Sequence, residues 1–133
     1  MKQLFFVFLA AGVFIACDKD EEKKEEEKVQ PEKWGLVEIL SDPGDGSGTF
    51  TPVESDKIVE FYADGTITSN GNLCMGSVKA DNPSTGTYSL VDSTIKPSNC
   101  TTGEIKIFFE KNDSTMIISY PCIEPCREKY ERK

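Results

Sequence analysis

Residues 57–68 read Lys-Ile-Val-Glu-Phe-Tyr-Ala-Asp-Gly-Thr-Ile-Thr, and this stretch decides the fold class. In its first half, Val59 and Phe61 fall on one face of an extended chain, because side chains in a β-strand alternate with a period of two. Asp64-Gly65 then supplies the residue types that a tight hairpin turn requires, and a second short strand follows. The stretch therefore predicts an antiparallel β-hairpin.

The same kind of pattern recurs on both sides of this hairpin. The two strands of the hairpin are Lys57–Tyr62 and Thr66–Thr68, and six more segments are Trp34–Leu40, Thr85–Leu90, Thr94–Lys96, Glu104–Glu110, Ser114–Tyr120 and Pro125–Glu131. Eight short segments between turns, without a useful helical period, predict an all-β fold built as an antiparallel barrel or sandwich. An even number of strands lets the last pair with the first, which favours a small up-and-down barrel. The interior of such a barrel is filled by side chains or holds one small ligand.

The cysteines add a constraint at one end of this barrel. If consecutive strands run up and down, Cys74, Cys100, Cys122 and Cys126 all fall at the same end, where two disulfides can join the rim. Geometry leaves three pairings open, and we favour Cys74–Cys100 with Cys122–Cys126. The alternative of a zinc site is weak, because Cys122 and Cys126 alone are closely spaced and they form CxxxC rather than CxxC. We therefore predict no metal site.

The first residues of the chain resemble the signal peptide of a bacterial lipoprotein. A positive start precedes an almost wholly apolar run, Leu4 to Ala16, which is too short to cross the roughly 30 Å apolar core of a bilayer. Ala16 is a small residue directly before Cys17, as in a lipobox. The resemblance implies that residues 1–16 are removed and that acyl chains such as palmitate anchor Cys17 in a membrane. The alternative is an ordinary secreted protein in which Cys17 forms a disulfide.

Residues 17–31 follow as the lipidated cysteine and a charged tether. Seven acids and four lysines in residues 18–28 cannot form a core, so a solvated linker is expected. The acidic residues after Cys17 resemble the export tag that directs lipoproteins of some Gram-negative bacteria to the outer leaflet. A plain spacer is the alternative. The expected location is the cell envelope, at the outer membrane, with the domain of residues 32–133 held off the bilayer.

Composition excludes several classes of function. The net charge of −8 argues against nucleic-acid binding, because phosphates require a basic surface. The chain contains no histidine, which removes the commonest general base. No pair of groups suggests a catalytic dyad, so we predict neither catalytic residues nor a cofactor, and the protein is not expected to be an enzyme.

Five stretches, in this order, resemble the lipocalin-like domains of bacterial lipoproteins. They are WGLVEI at residues 34–39, DPGDGSGTF at 42–50, IVEFYADGT at 58–66, GTYSL at 86–90 and IISYPCIEPC at 117–126. The likeness covers nearly all of residues 33–133. It implies a small up-and-down barrel and a small apolar ligand. If the barrel is hollow, the residues expected to line it are Trp34, Phe61, Tyr88, Phe109 and Tyr120; the alternative is that these aromatic residues form a plain core.

Two hypotheses for the function follow. The first is a lipid-anchored barrel that binds a small apolar molecule. The alternative is a protein-interaction module, such as an inhibitor of a cell-wall hydrolase or protease, or an accessory subunit, and the acidic loop from Asp42 to Asp45 would suit a basic cleft. The same loop could instead ligate calcium, although the EF-hand pattern is absent. Ser93 and Ser114 lie in repeated Asp-Ser-Thr tripeptides that are similar to a bacterial O-glycosylation site, and ordinary hairpin chemistry is the favoured alternative.

Overall fold

The computed structural model describes residues 30–123 and 126–133 of the chain. These residues form nine strands: β1 (Glu32–Ser41), β2 (Phe50–Pro52), β3 (Ile58–Phe61), β4 (Thr66–Ser69), β5 (Ser84–Ser89), β6 (Thr94–Pro97), β7 (Ile107–Lys111), β8 (Thr115–Tyr120) and β9 (Cys126–Arg132). Within the described ranges, no helix is long and apolar enough to span a membrane. The predicted signal peptide, the lipidation at Cys17 and nearly all of the tether lie outside the described residues.

The predicted closed barrel of eight antiparallel strands is confirmed. Strands β3 to β9 each pair with the next along the chain, and β1 closes the sheet by pairing with both β3 and β9. In the middle of this closure, Trp34 of β1 lies opposite Val59 of β3 on one side and Arg132 of β9 on the other. Because every backbone edge in the ring has a partner, the barrel avoids the exposed edges of an open sheet.

Strand β2 is a feature that the sequence did not predict. β3 pairs with the first part of β1. β2 pairs with the second part of β1 on the same side, where Glu38 lies opposite Pro52. Between them, the N–H of Val53 donates to the carbonyl oxygen of Val37 at 2.9 Å. Three residues ending in proline show no readable alternation. β2 is a strand because the long β1 offers it unpaired backbone groups, and this is a tertiary cause.

The hairpin of β3 and β4 has the expected turn. Gly65 adopts φ = 87°, which glycine tolerates without strain, and the N–H of Thr66 donates to the Asp64 carboxylate at 2.8 Å. Predicted strand boundaries differ from the observed ones by up to three residues. β7 begins at Ile107 instead of Glu104, and β1 begins at Glu32 instead of Trp34. β5 ends at Ser89, so Leu90 lies in the next turn with 59% of its surface exposed.

The two ends of the barrel differ in character. One end, here called the hairpin end, carries Gln30, where the described chain begins, and the tight turns at residues 62–65, 90–93 and 112–114. The other, here called the loop end, carries the long connections at residues 42–49, 70–83 and 98–106. All four cysteines of the barrel lie at the loop end, as predicted from the up-and-down order of the strands.

One glycine is required by close strand packing. A Cβ added to Gly86 in β5 would lie 2.5 Å from the carbonyl oxygen of Lys96 and 2.9 Å from the Cα of Pro97, both in the backbone of β6. Real Cβ atoms do not approach backbone so closely, so β5 and β6 can pack at this distance only because residue 86 has no side chain. This contact brings the two strands together on the side of the barrel below loop 70–83.

Candidate functional site

Side chains fill the barrel from the hairpin end upward. A cluster of buried hydrophobic residues occupies this space, and it consists of Trp34, Leu36, Val59, Phe61, Ile67, Leu73, Ile95, Ile107, Phe109, Met116, Ile118, Tyr120 and Tyr130. At the hairpin end, the guanidinium of Arg132 lies over the indole of Trp34, 5.0 Å from the ring centroid. A cation above an aromatic face adds electrostatic attraction to the packing.

A buried ion pair stands above this apolar core. The Nζ of Lys57 lies 2.9 Å from Oε2 of Glu128 and 3.2 Å from Oε1, and their side chains are 0% and 3% exposed. Lys57 directly precedes β3, and Glu128 lies in β9, 71 residues later in the chain. Two charges so deeply removed from water are tolerable only when they are paired and fully hydrogen-bonded.

The carboxylate of Glu128 meets this condition. Its Oε2 accepts hydrogen bonds from the hydroxyls of Tyr120, at 2.9 Å, and of Tyr130. Its Oε1 accepts the backbone N–H of Ser77 at 2.7 Å, and the Lys57 ammonium also donates to the Ser77 carbonyl oxygen at 3.0 Å. These five residues, Lys57, Ser77, Tyr120, Glu128 and Tyr130, are called the polar cluster below.

Burial shifts the ionisation of the cluster. Removal from water, reinforced by the negative Glu128 beside them, raises the pKa of both the Tyr120 and the Tyr130 phenols well above the usual value. Burial lowers the pKa of the Lys57 ammonium, although the adjacent Glu128 carboxylate acts in the opposite direction. Both phenols therefore stay protonated at neutral pH and remain hydrogen-bond donors.

The polar cluster fastens one long loop over the mouth of the barrel. Loop 70–83 is held at Ser77 by the ion pair, and the hydroxyl of Ser55 donates to the carbonyl oxygen of Val78 at 2.6 Å. Leu73, which is fully buried, anchors the beginning of the loop in the core. A Cβ on Gly71 would lie 2.6 Å from the Lys79 carbonyl oxygen, so the loop also folds closely on itself.

Two disulfides complete this end. They join Cys74 to Cys100 and Cys122 to Cys126, which is the pairing that we favoured. The first links loop 70–83 to the connection between β6 and β7. The second closes a separation of four residues where β8 passes into β9. The rim of the barrel is therefore covalently joined at two places.

A pocket of about 460 Å³ opens beneath this rim, and we call it the rim pocket. Its lining is formed by Ile39, Leu40, Ser41, Met75, Gly76, Ser77, Val78, Tyr120, Cys122, Cys126, Arg127 and Glu128. Tyr120 and Glu128 belong to the polar cluster and are polar members of this lining, whereas Ile39, Met75 and Val78 are apolar members. An apolar cleft of this size with a few oriented polar groups is typical of small-molecule sites.

The five aromatic residues predicted to line a ligand site occupy two different places. Tyr120 lies in the rim pocket. Trp34, Phe61 and Phe109 are buried in the core, and Tyr88 packs against it. The Phe61 ring lies 4.8 Å from that of Tyr88 and 5.4 Å from that of Phe109, between centroids, so these rings fill the barrel by packing on one another.

Lys57 and Glu128 were missed as site residues. A signal was present, because Lys57 has the same alternation phase as Val59 and Phe61, and Glu128 has the same phase as Tyr130. A charged residue at an inward position of a small barrel indicates a buried partner. The sequence does not identify that partner.

The loop that begins at Asp42 and the turn that contains Ser114 both form hydrogen bonds between their own side chains and their own backbone. The Asp42 carboxylate accepts the backbone N–H groups of Gly44, Gly46 and Gly48 at 2.7, 3.0 and 2.7 Å. These bonds lower the pKa of Asp42. At the other end of the barrel, the N–H of Ser114 donates to the Asn112 side chain at 3.0 Å, which is ordinary hairpin chemistry.

Comparisons of the chain with protein-family models, with curated proteins and with solved structures found no match, so a functional assignment rests on the barrel and on the geometry of its loop end.

Proposed function

We propose that this protein is a lipid-anchored lipoprotein of the Gram-negative cell envelope, with a lipocalin-like barrel whose rim pocket binds a small, mainly apolar molecule. Cys17 is its anchor to the outer membrane. The rim pocket is the single observation that carries the proposal for binding, because it combines a volume of about 460 Å³ with apolar side chains such as Ile39, Met75 and Val78.

The position of this pocket changes the expected binding mode. The ligand lies at the loop end, above the polar cluster, and not in the centre of the barrel, where aromatic side chains pack together. Met75 and Val78 contribute apolar surface from loop 70–83. The disulfide and the polar cluster hold this loop in place before the ligand arrives, which reduces the entropy lost on binding.

Binding of a fluorescent apolar probe tests this proposal. Met75 in the pocket wall is 58% exposed, and Leu90 at the opposite end of the barrel is 59% exposed, so glutamate substitutions at the two positions form a matched pair. We expect Met75→Glu to weaken binding of 1-anilinonaphthalene by about tenfold, because a charge enters an apolar wall. Leu90→Glu should bind the probe like the wild type. Equal binding by all three proteins would exclude the rim pocket as the site.

Native mass spectrometry of the protein purified from its own host tests the ligand itself. A small molecule should co-purify with the wild type and be lost from Met75→Glu. The intact mass also reports acyl chains on Cys17, and Cys17→Ser should release the protein from the membrane fraction. A mass without acyl chains would overturn the anchor and leave the binding proposal to the probe experiment.

One observation favours the second candidate, a protein-interaction module. Ile123 is fully exposed beside the disulfide of Cys122, and Met75 is exposed on the same rim. Exposed apolar side chains at one end of a barrel suit contact with a protein, such as a cell-wall hydrolase or protease that the barrel inhibits or an enzyme that it assists. Inhibition of a lysozyme or a serine protease by the wild type, lost in Ile123→Asp while probe binding persists, would establish this function.

A further inference from the structure

The hairpin end of the barrel carries a small group of apolar side chains that the core does not use. At the turn between β5 and β6, Val91 is 97% exposed and Leu90 is 59% exposed. Phe108, which lies opposite Thr94 directly after this turn, is 56% exposed. Single exposed apolar residues are ordinary on proteins. Two adjacent ones in the same turn, one of them almost fully exposed, are typical of a surface that contacts an apolar partner or a membrane.

The chain enters the barrel at this same end. Gln30, where the described chain begins, precedes β1 at the hairpin end, and 12 residues lie between it and Cys17. A linker of that length spans roughly 20 Å as a coil and at most about 45 Å when fully extended. An anchor at Cys17 would therefore hold the point where the chain enters the hairpin end within about 45 Å of the bilayer, whereas the rim pocket lies at the opposite end of the barrel.

We propose that the Leu90–Val91 turn inserts into the interface of the bilayer that holds Cys17, so that the barrel stands on its hairpin end with the rim pocket open to the solvent. This inference rests on the proposed anchor at Cys17. The tether supplies proximity, and the two apolar side chains then orient the domain, because a tethered group meets the surface at a high local concentration.

The charges of this end indicate the kind of lipid. Each of its three turns carries an aspartate, namely Asp64, Asp92 and Asp113, and the cationic Lys111 and Arg132 lie at the same end, so the end carries both signs of charge. Carboxylates beside the inserting turn are repelled by anionic headgroups, so the turn suits a zwitterionic surface such as phosphatidylcholine or phosphatidylethanolamine.

Tryptophan substitutions in the full-length lipoprotein, reconstituted into phosphatidylcholine vesicles that contain brominated acyl chains, test the orientation. Val91→Trp reports the hairpin end, and Ile123→Trp is the matched control, because Ile123 is equally exposed and lies at the loop end. The natural Trp34 is fully buried, so the wild type supplies the background. We expect the brominated chains to quench Val91→Trp about twofold more than Ile123→Trp, since interfacial groups sit roughly 5–10 Å deep.

The outcomes separate this inference from the proposed anchor. Flotation with the vesicles together with selective quenching of Val91→Trp supports the inference. Flotation with equal quenching of the two variants overturns the orientation and leaves the anchor standing. If the protein does not float, the anchor fails, and the inference fails with it.

Discussion

Glu128→Gln should destabilise the barrel far more than a comparable change at its surface. Four groups donate hydrogen bonds to the Glu128 carboxylate: the Lys57 ammonium, the Ser77 N–H and the hydroxyls of Tyr120 and Tyr130. The amide of glutamine has the same shape. Its NH₂ group, however, is a hydrogen-bond donor and cannot accept the hydrogen bonds that the neighbouring groups donate. The substitution also leaves the fully buried Lys57 ammonium without a counter-ion.

The structure sets the size and the pH dependence of the loss. Removing one partner of a buried ion pair costs about 3–5 kcal/mol. Lys57 can avoid being a buried charge without a counter-ion by losing its proton. At pH 7, deprotonation costs at most about 4.8 kcal/mol for a lysine with an ordinary pKa of 10.5. That cost falls by about 1.4 kcal/mol for each unit that the pH rises, because the proton concentration in solution falls tenfold while the pKa of the lysine stays the same. We therefore expect the deficit of the variant to shrink between pH 7 and pH 9.

Urea unfolding at pH 7, 8 and 9, followed by the fluorescence of the buried Trp34, measures this deficit with the disulfides kept oxidised. Glu38→Gln is the control, because Glu38 also pairs with a lysine at 2.8 Å but is 27% exposed. The control should lose less than about 1 kcal/mol. The reasoning is refuted if Glu128→Gln loses no more than Glu38→Gln, or if its deficit stays constant with pH. The double variant Lys57→Met/Glu128→Gln should recover part of the loss.

Three further predictions concern stability. Gly86→Ala should lower the free energy of unfolding by about 1–3 kcal/mol, because the new methyl group meets the β6 backbone, whereas Gly76→Ala, with its nearest contact at 3.5 Å, should be neutral in the same urea titration. The pKa of Tyr120 and of Tyr130 is raised in the folded protein, so the unfolded chain loses its phenolic protons first as the pH passes 10. The free energy of unfolding should therefore fall by about 1.4 kcal/mol per pH unit for each tyrosine. Each Tyr→Phe variant should show a shallower slope of the free energy of unfolding against pH. Replacing both cysteines of Cys74–Cys100, which are 26 residues apart, should lower the free energy of unfolding by about 3.5 kcal/mol. The same change at Cys122–Cys126, which are 4 residues apart, should lower it by about 2 kcal/mol. Equal losses would argue that chain entropy is not the origin of the stabilisation.

The sequence by itself determined the fold class and the arrangement of its ends. Alternation at residues such as Val59 and Phe61 is a local property, because the backbone of a strand turns each successive side chain to the opposite face. The Asp64-Gly65 turn is equally local. Counting eight such segments and assuming alternate directions was enough to predict a closed barrel with all four of its cysteines at one end. It left three disulfide pairings open, and the pairing that we favoured is the one observed.

Only the tertiary structure decided what occupies the interior. Alternation states which side chains point inward, but not which of them meet across the barrel, because that depends on the stagger of strands far apart in the chain. Lys57 and Glu128 are 71 residues apart and meet only when β1 joins β3 to β9. The same closure packs the ring of Phe61 against those of Tyr88 and Phe109, and a pocket of about 460 Å³ lies at the rim.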